Sequence, residues 1–443
     1  MTSAGRLSLG IMFFCVYLWI TEPVPFHITG CIGILLVTFF RLETFGNVIK
    51  LGFGNETVVF FIGVLVLSSV MTRSGLGKRI SMVILSLTGN KTSTIILGFL
   101  LAGVVVGMWI TNMAGAAMLM PIAKSMLEEE GLKPGESNFG KALMISCAYG
   151  ALISGVTTPV AAGPNIIAMN FMKEAGISVS FLEWMMYGVP VAFLLVIPCW
   201  LILITMFKPE ITHISKTKEE LKAEFNAMGP LTKNEKITAV IFCLTVVLWI
   251  SSTWLTNLIG IDLSGTIPAL ICTCMFFLPG VAFYKWKDIS DDISWDGIIL
   301  IAAGMSLGLV MSQTGAAGWL SGILLGGVAG IHPVIQVFLI VIIILIIKAG
   351  LSSNTVTAAI IMPIMIALVL SNDMPLKGIL LPAALSLSMS FILVTSSPTN
   401  LIPYSTGYFS ITDMAKAGVV MSVCAGLIIA VAVYLLGLLT GIY

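Results

Sequence analysis

The sequence predicts an all-α polytopic membrane protein with two inverted-topology repeats, each carrying a re-entrant helical hairpin and a discontinuous transmembrane helix. Three observations lead to this fold class. The 443 residues are 58% hydrophobic and only 10% charged, with a mean hydropathy of +1.07, a composition that soluble globular domains do not reach. Apolar segments long enough to cross a bilayer recur along the chain. Its polar interruptions occur twice, in the same order.

The membrane-spanning elements are predicted to be helices. The apolar segments are continuous runs of Leu, Ile, Val and Met, without the alternation of lipid-facing barrel strands. Since backbone groups in lipid must satisfy one another, such runs form helices. We expect spans at 8–24, 27–41, 57–72, 80–89, 181–207, 237–257, 262–280, 297–313 and 414–441. The first span follows Arg6 without a small-residue cleavage site, so no cleavable signal peptide is expected.

Composition and motifs exclude several functions. The net charge of +1 and the lack of a basic tract argue against nucleic-acid binding. The eight cysteines lie in apolar runs without metal-ligand spacing and are interpreted as buried small hydrophobes. The spans contain no His-Glu-x-x-His, Gly-x-Ser-x-Gly or paired-Asp arrangement, so no enzyme is expected.

Four regions between the spans combine apolar sequence with a polar break. Residues 93–127 and 334–370 each hold an apolar arm, an Asn-centred polar tip and a second arm with a proline. Residues 140–176 and 377–408 each begin as a helix, break at small residues and proline, and continue after an asparagine. The first pair predicts two re-entrant hairpins, and the second pair predicts two discontinuous helices.

The two halves of the chain match each other. Three pairs of segments correspond in order: MTRSG at 71–75 with MSQTG at 311–315, TNMAGAAMLMP at 111–121 with SNTVTAAIIMP at 353–363, and AAGPNII at 161–167 with SSPTNLI at 396–402. We therefore expect a first repeat at 1–207 and a second at 237–443. An odd number of crossings in each would make the repeats inverted. The Lys-rich link between them, 208–236, is cytoplasmic by the positive-inside rule.

A polar break at bilayer depth predicts a ligand site. Each unsatisfied polar group there costs on the order of a few kcal/mol, so the break persists only beside ligand or water. A hairpin tip exposes amide N–H groups at the start of its second arm, which suits an anion. The carbonyls that end the first arm, with the hydroxyls of Thr111, Ser353 and Thr355, suit a small hard cation. Four such breaks in matched pairs indicate one central site.

The same segments resemble the divalent anion/sodium symporter (DASS) family of di- and tricarboxylate transporters, over most of the chain. Ser353-Asn354-Thr355 resembles the hairpin motif of the family, and WITN at 109–112 resembles its first-half partner. LWITEPVPFHITG at 18–30 is similar to the family's Trp-x-Thr-Glu-x-x-Pro segment. AMGPLTKNEK at 227–236 and SFILVTSSPTNLI at 390–402 are similar to its linker and its late signature.

This resemblance implies a homodimer in the bacterial plasma membrane, with a scaffold part and a transport part that carries the hairpins. It implies that substrate carboxylates meet the tips and the break residues: Thr111, Asn112, Gly163, Pro164, Ser353, Asn354, Thr355, Ser397, Pro398 and Thr399. In sodium-coupled members the tips and breaks also bind sodium, which here indicates Ser353, Asn354, Thr399 and Asn400. Asn165 and Asn400, the equivalent asparagines of the two breaks, are expected, with Lys348, to bind a cation or to compensate charge. No other cofactor is expected.

Three departures from the family pattern favour exchange over sodium coupling. Met113 stands in place of a hydroxyl at the first tip, and a thioether binds sodium poorly. Val394 stands in place of proline. Gly350 stands in place of an acidic residue, and Lys348 appears two positions earlier, about 8 Å along a helix from Ser353. Lys348 is therefore expected to replace one sodium ion by its fixed charge. The alternative is that it snorkels to an interface or pairs with a distant acidic residue.

The sequence thus predicts a secondary transporter of C4 and C5 dicarboxylates that works by alternating access and favours exchange. An empty carrier with a permanent lysine charge would resist crossing, whereas one whose cation leaves with the substrate returns freely. Sodium-coupled symport is the alternative within this class. From another class, an anion channel could also use paired re-entrant loops.

Overall fold

The prediction of an all-α polytopic membrane protein is confirmed. A computed structural model describes residues 1–442 apart from 216–219, 221–222, 224–225, 261–262, 264, 282, 326, 328–329 and 373. Within this described part, seven helices are long and apolar enough to cross a membrane: Ser3–Thr21, Glu56–Arg73, Phe181–Met206, Lys233–Ile259, Trp295–Gln313, Asn354–Ser371 and Ile411–Thr440. Shorter apolar helices lie between them. The chain is an integral membrane protein.

The first half contains helices α1 to α10. In order they are α1 (Ser3–Thr21), α2 (Phe26–Phe39), α3 (Phe45–Gly52), α4 (Glu56–Arg73), α5 (Leu76–Ser86), α6 (Thr92–Gly107), α7 (Asn112–Glu129), α8 (Asn138–Ser154), α9 (Gly163–Glu174) and α10 (Phe181–Met206). A single 3₁₀ turn, Pro159–Ala161, separates α8 from α9.

The second half contains helices α11 to α20. In order they are α11 (Lys233–Ile259), α12 (Thr266–Met275), α13 (Trp286–Ser290), α14 (Trp295–Gln313), α15 (Ala316–Leu325), α16 (Pro333–Ala349), α17 (Asn354–Ser371), α18 (Leu376–Ser386), α19 (Pro398–Tyr404) and α20 (Ile411–Thr440). A 3₁₀ turn, Val394–Ser396, separates α18 from α19. The order of long, short and broken helices is that of the first half.

Helix ends follow local capping chemistry. Thr232 and Glu235 form a capping box at the start of α11, and Ser410 and Asp413 form another at the start of α20. The side chain of Asn55 accepts a hydrogen bond from the backbone at the start of α4. Polar residues at the span ends therefore set where each apolar helix begins.

Three helices were missed by the sequence prediction, and one span was predicted too long. The missed helices α3, α13 and α15 are short, so they fall below the length of a membrane span. The segment predicted at 262–280 is helical only over Thr266–Met275. The predicted hairpins correspond to α6 with α7 and α16 with α17, and the predicted broken helices correspond to α8 with α9 and α18 with α19.

Packing between the halves is reciprocal. Helix α2 of the first half packs on α14 of the second, and α12 of the second packs on α4 of the first. The hairpin arm α17 packs on α9, and its counterpart α7 packs on α19. Helices α2 and α12 are equivalent, as are α4 and α14, so each contact between the halves has a matching contact in which the two halves exchange roles. A pseudo-twofold axis between two repeats produces this pattern.

Helices α4 and α14 show the relative direction of the halves. The last residue of α4, Arg73, binds Asp292, which lies just before α14 begins. Further along α14, the hydroxyl of Ser306 donates to the carbonyl of Val48, which precedes α4, at 2.7 Å. The end of α4 therefore lies beside the start of α14, and the equivalent helices run in opposite directions.

Candidate functional site

The first hairpin turns between Gly107, which ends α6, and Asn112, which begins α7. Thr111 is the N-cap of α7, and its hydroxyl accepts a hydrogen bond from the backbone N–H of Ala114 at 3.4 Å. The backbone N–H of Thr111 itself donates to the hydroxyl of Ser68 in α4 at 3.2 Å. The tip thus presents the start of a helix, where the first amide groups lack intrahelical acceptors.

The second hairpin repeats this construction. It turns between Ala349, which ends α16, and Asn354, which begins α17. The N-cap is Ser353, whose hydroxyl accepts from the backbone N–H of Val356 at 3.3 Å. The hydroxyl of Ser390, from the second broken helix, donates to Oδ1 of Asn354 at 2.7 Å. Tip and break are therefore joined directly in this half.

The two helix breaks are held by equivalent asparagines. The Asn165 amide donates to the carbonyls of Gly155 and Thr158 at 2.6 and 2.8 Å. The Asn400 amide donates to the carbonyls of Ser390 and Leu393 at 2.8 and 3.1 Å. In both breaks the acceptors lie 10 and 7 residues before the asparagine. Each amide thus satisfies carbonyls that the interrupted helix leaves free.

The side-chain oxygens of these asparagines differ. Both residues are 0% exposed. Oδ1 of Asn165 accepts a hydrogen bond from the hydroxyl of Ser388 at 3.2 Å. Among the described residues, Oδ1 of Asn400 has no hydrogen-bond donor. A buried oxygen without a donor is costly, and a bound water or ion is one explanation for it.

Both tips and both breaks line one cavity of about 840 Å³. It brings together all ten residues predicted to meet substrate: Thr111, Asn112, Gly163, Pro164, Ser353, Asn354, Thr355, Ser397, Pro398 and Thr399. Ser352 joins them from the second tip, and Met113, Ala114 and Ala117 join them from the first. Its volume lies within the range of small-molecule sites, about 300–1,000 Å³.

The cavity is surrounded by helix N-termini. Helices α7, α9, α17 and the short α19 all begin at residues that line it. A helix N-terminus carries roughly half a positive elementary charge on its free amide groups. Four of them at one cavity favour a ligand with more than one negative charge.

Part of the cavity wall was missed by the sequence prediction. Ser68, Ser69 and Arg73 of α4 line it, opposite Asp292 and the first turn of α14. The Arg73 side chain binds Asp292, with Nη2 donating to Oδ1 at 2.7 Å, and Ser69 donates to Oδ2 at 2.6 Å. The guanidinium hydrogen bond is the main cause that holds the pKa of Asp292 below its ordinary value, although partial burial opposes it and Ser69 adds to it. The sequence signal that could have revealed this wall is the acidic residue Asp292, which stands directly before the apolar helix α14.

A second carboxylate at the same wall lies beside a histidine. Nδ1 of His27 is 3.4 Å from Oδ1 of Asp296, and both residues line the cavity. Of the two carboxylates at the cavity wall, Asp292 is thus paired with an arginine and Asp296 lies beside the His27 imidazole.

The predicted charge-compensating residues lie outside the cavity wall. Lys348, Asn165 and Asn400 are absent from its lining in the described part of the chain. Lys348 is only 1% exposed, and its ammonium donates to the carbonyl of Leu387, just after α18. In α16 its side chain is turned towards α18, so proximity along the helix did not bring it to the tip. It does not snorkel to an interface either.

A smaller cavity of about 300 Å³ lies on the other side of the first break. Pro159 and Ile166 of the break line it, together with Glu56, Asn170 and Lys173. It contains neither hairpin tip. The larger cavity, which both hairpin tips and both helix breaks line, is therefore the candidate site.

Sequence comparisons agree on one family. Residues 1–441 match the family described as the sodium:sulfate symporter transmembrane region. The chain is 28% identical over 453 residues to the sodium-dependent dicarboxylate transporter SdcS of Staphylococcus saprophyticus, covering 98% of this chain and 87% of that protein. It is 28% identical over 447 residues to SdcS of Staphylococcus aureus, covering 97% of this chain and 85% of that protein.

Comparison with solved structures supports the fold. The structure of the YdaH transporter from Alcanivorax borkumensis matches 99% of this chain and 98% of its own, with a TM-score of 0.57 at 14% identity. That of MtrF from Neisseria gonorrhoeae, described among antimetabolite efflux pumps, matches 98% and 94% with a TM-score of 0.52 at 13% identity. At these identities the likeness concerns the fold alone.

Proposed function

Because the chain belongs to the sodium:sulfate symporter (DASS) family, we propose that it is a secondary transporter of C4 and C5 dicarboxylates, driven by sodium and working by alternating access. The observation that carries this proposal is the single cavity lined by both hairpin tips and both helix breaks. The named relatives are transporters, which also argues against an enzyme.

A dicarboxylate would be held by two sets of donors, one from each half. Thr111 and Asn112 would bind one carboxylate with the start of α7, and Asn354 and Thr355 would bind the other with the start of α17. Gly163, Pro164, Ser397, Pro398 and Thr399 would complete the wall from the two breaks. Fixed amide dipoles can solvate a dianion, and the arginine at the opposite wall, Arg73, is already paired with Asp292.

The residues of the second half fit a sodium ion. Oδ1 of Asn400 is buried and, among the described residues, has no donor. Ser353, Asn354 and Thr399 lie at the adjoining cavity wall and offer hydroxyl and amide oxygens. Hard cations prefer such oxygen ligands. When bound, sodium supplies positive charge beside the carboxylates, so their binding strengthens.

The prediction that exchange is the favoured mode is not supported. The relatives are named sodium-dependent, and Lys348 does not line the cavity where it would replace a sodium ion. Sodium-coupled symport, the alternative, fits better. A contribution of the Lys348 charge to the site stays a prediction.

Alternating access would follow from movement between two parts. We define the scaffold part as α1–α5 with α11–α15, and the transport part as α6–α10 with α16–α20. The cavity lies between them, because α4 and the start of α14 face the tips and breaks across it. The inverted relation of the halves is supported by the reciprocal packing and by the opposite directions of α4 and α14. A homodimer remains part of this proposal.

Uptake into proteoliposomes tests the proposal. With an inward sodium gradient and no internal substrate, labelled succinate should accumulate, and replacing sodium by choline should abolish the uptake. Uptake that requires internal dicarboxylate, whatever the sodium, would instead establish exchange. Unsaturable flux with single-channel currents in planar bilayers would establish a channel.

A further inference from the structure

The smaller cavity, of about 300 Å³, lies where the scaffold part meets the transport part. We propose that it is a second, outer binding site for a small carboxylate anion, which it holds between Lys173, the amide of Asn170 and the starts of α4 and α10, and that an anion bound there slows transport. This inference rests on the proposed alternating access and adds a way of regulating it.

The smaller cavity lies at the end of α4 that is remote from the linker. Glu56 and Thr57 at the start of α4 line it, whereas Arg73 at the end of the same helix lines the larger cavity. Over its 18 residues α4 is about 27 Å long. Arg79, which follows that end, donates to the linker carbonyl of Gly229 at 2.8 Å. With the linker on the cytoplasmic face, the smaller cavity lies towards the outside.

Both parts of the molecule contribute to the wall of the smaller cavity. Helices α4 and α11 line it from the scaffold part, and Asn170, Lys173 and Phe181 line it from the transport part. Two contacts cross between the parts there. The Lys173 ammonium binds the Glu56 carboxylate, and the Thr57 hydroxyl donates to Oδ1 of Asn170 at 3.1 Å. A ligand in the cavity would add contacts across the same boundary.

The Asn170 amide has an unused hydrogen-bond donor at this cavity. Asn170 lines the cavity and is only 4% exposed. Its Oδ1 is used by Thr57, but among the described residues its Nδ2 has no acceptor. Buried polar groups nearly always have a partner, so this donor calls for an acceptor that the described part of the chain does not supply. An acceptor oxygen of a ligand would satisfy it.

The electrostatics of the wall favour a negative charge. Helices α4 and α10 begin at Glu56 and Phe181, which line the cavity, and the first amide groups of a helix carry partial positive charge. Among the described lining residues only Lys173 and Glu56 carry formal charges, and they neutralise each other. Glu183, in the first turn of α10, is paired with Lys377 at 2.7 Å. The charge left unopposed is positive, which selects an anion.

A carboxylate fits the placement of the donors. Asn170 and Lys173 are three residues apart on α9, so their side chains are neighbours on one helix face. The two oxygens of one carboxylate can therefore accept from the amide and from the ammonium together. The volume of the cavity is at the lower end of the range for small-molecule sites, about 300–1,000 Å³.

An anion bound in the smaller cavity would hold the two parts together at the outer face. It contacts the start of α4 and α9 at once, and these elements must separate when the larger cavity opens to the outside. A ligand shifts a conformational equilibrium towards the state that it binds better. External carboxylate should therefore slow transport from a position outside the larger cavity.

The first experiment removes each charge of the ion pair in turn. Lys173→Gln leaves the Glu56 carboxylate beside the cavity, whereas Glu56→Gln leaves the lysine charge there. Carboxylate affinity should fall about fivefold in the first variant and rise about fivefold in the second, the effect of one unit charge about 4 Å away in water. Lys416→Gln, an exposed lysine outside the cavity lining, should leave it unchanged. A purely structural ion pair predicts that both variants leave anion binding unaltered.

Thermal unfolding of the purified full-length proteins measures this binding. All variants carry Asn354→Ala, which impairs the larger cavity, and the buffers contain no sodium. Choline gluconate or choline succinate is titrated against choline chloride at equal ionic strength, because a ligand of the native state raises the unfolding temperature. A response to both anions shows that any small carboxylate binds, and a response to succinate alone identifies the transported dicarboxylate as the ligand. No response to either, or the same affinity in both charge variants, would overturn the inference.

The second experiment measures the effect on transport. Replacing external chloride by gluconate should lower the maximal rate of succinate uptake into proteoliposomes, less in Lys173→Gln and more in Glu56→Gln. Additional external succinate should not restore the rate, and gluconate placed only inside should have no effect. Inhibition that succinate overcomes would place gluconate in the larger cavity and contradict the outer site.

These outcomes separate the inference from the function on which it rests. If uptake requires sodium but carboxylate binding is indifferent to both charges, the outer site fails while symport stands. If uptake requires internal dicarboxylate whatever the sodium, sodium coupling fails. The unfolding assay, which uses no sodium, then still decides whether the outer site exists.

Discussion

At the scale of single residues, the site depends on polar side chains whose partners come from distant sequence. Asn354 begins α17 at the second tip, accepts a hydrogen bond from Ser390 and is 9% exposed at the cavity wall. Arg73 and Asp292, which face the same cavity from the scaffold part, are 219 positions apart. Each of these residues is held by hydrogen bonds and also lines the cavity.

The Asn354 side chain should be essential for transport. Asn354→Ala removes the acceptor of Ser390 and an amide from the cavity wall, so we expect succinate uptake to fall by at least about tenfold, the equivalent of about 1.4 kcal/mol. The control is Asn372→Ala, since Asn372 caps the far end of the same helix and is exposed. Unchanged uptake in a folded Asn354→Ala protein would discredit the site.

The Arg73–Asp292 pair should contribute stability that is lost in acid. Because the native pKa of Asp292 is lowered, its contribution is present above the unfolded pKa, near 3.9, and is lost as pH falls through the native value. Both side chains are more than one third exposed, at 35% and 37%, so the contribution should stay below about 1 kcal/mol. Unfolding temperatures of wild type and Asp292→Asn should differ at neutral pH and converge on acidification. A gap that widens in acid would refute this account.

At the scale of elements, the transport part depends on close contact between hairpin and broken helix. A Cβ added to Gly103 in α6 would lie 2.9 Å from backbone atoms of Gly150 in α8, and one added to Gly150 would lie 2.8 Å from the carbonyl of Leu100. Backbone atoms cannot move aside as the end of a side chain can. The small residues of the first hairpin therefore allow its arm to lie directly against the broken helix.

Gly103→Ala should destabilise the protein for this reason. An extra methyl group in a closely packed interior lowers the free energy of unfolding by about 1–3 kcal/mol. Gly10→Ala in α1 is the control, because a Cβ there meets nothing within 4 Å. Thermal unfolding in detergent should give a lower midpoint for Gly103→Ala and an unchanged or higher midpoint for Gly10→Ala. Equal midpoints would show that α6 and α8 have room to separate.

At the scale of the whole molecule, the two halves meet at one cavity from opposite directions. Lys91, which precedes α6, forms a β-bridge with His213 in the linker, so the first hairpin starts on the linker side. Its equivalent, His332, precedes α16. In an inverted repeat these two equivalent positions lie on opposite membrane faces.

Labelling from each side of the membrane tests this topology. Lys91→Cys should react with a membrane-impermeant thiol reagent only from the cytoplasmic side, and His332→Cys only from the outside. Both positions are exposed, so access to solvent is not limiting. Reaction of both from the same face would exclude an inverted repeat. The parent protein provides the background, because Cys243 and Cys274 are exposed, contrary to the expectation that all eight cysteines are buried.

The sequence by itself determined the helical membrane class and the repeated order of breaks. These follow from local properties: hydropathy over a span, proline and asparagine at a break, and small polar residues at a tip. The resemblance to the family then implied the ten residues that share the cavity. Repetition of the same signals in both halves then indicated one shared site.

Only the tertiary structure decided which groups oppose one another. It turned Lys348 towards Leu387 and away from the cavity, although the chain places it close to Ser353. It also set Ser388 against Asn165 and left Oδ1 of Asn400 without a donor in the described part of the chain. The physical reason is that hydrogen bonds and charge pairs require donor and acceptor atoms to be placed within fractions of an ångström. Their positions depend on the rotation of each helix and on packing between the halves, and local sequence encodes neither the rotation nor the packing.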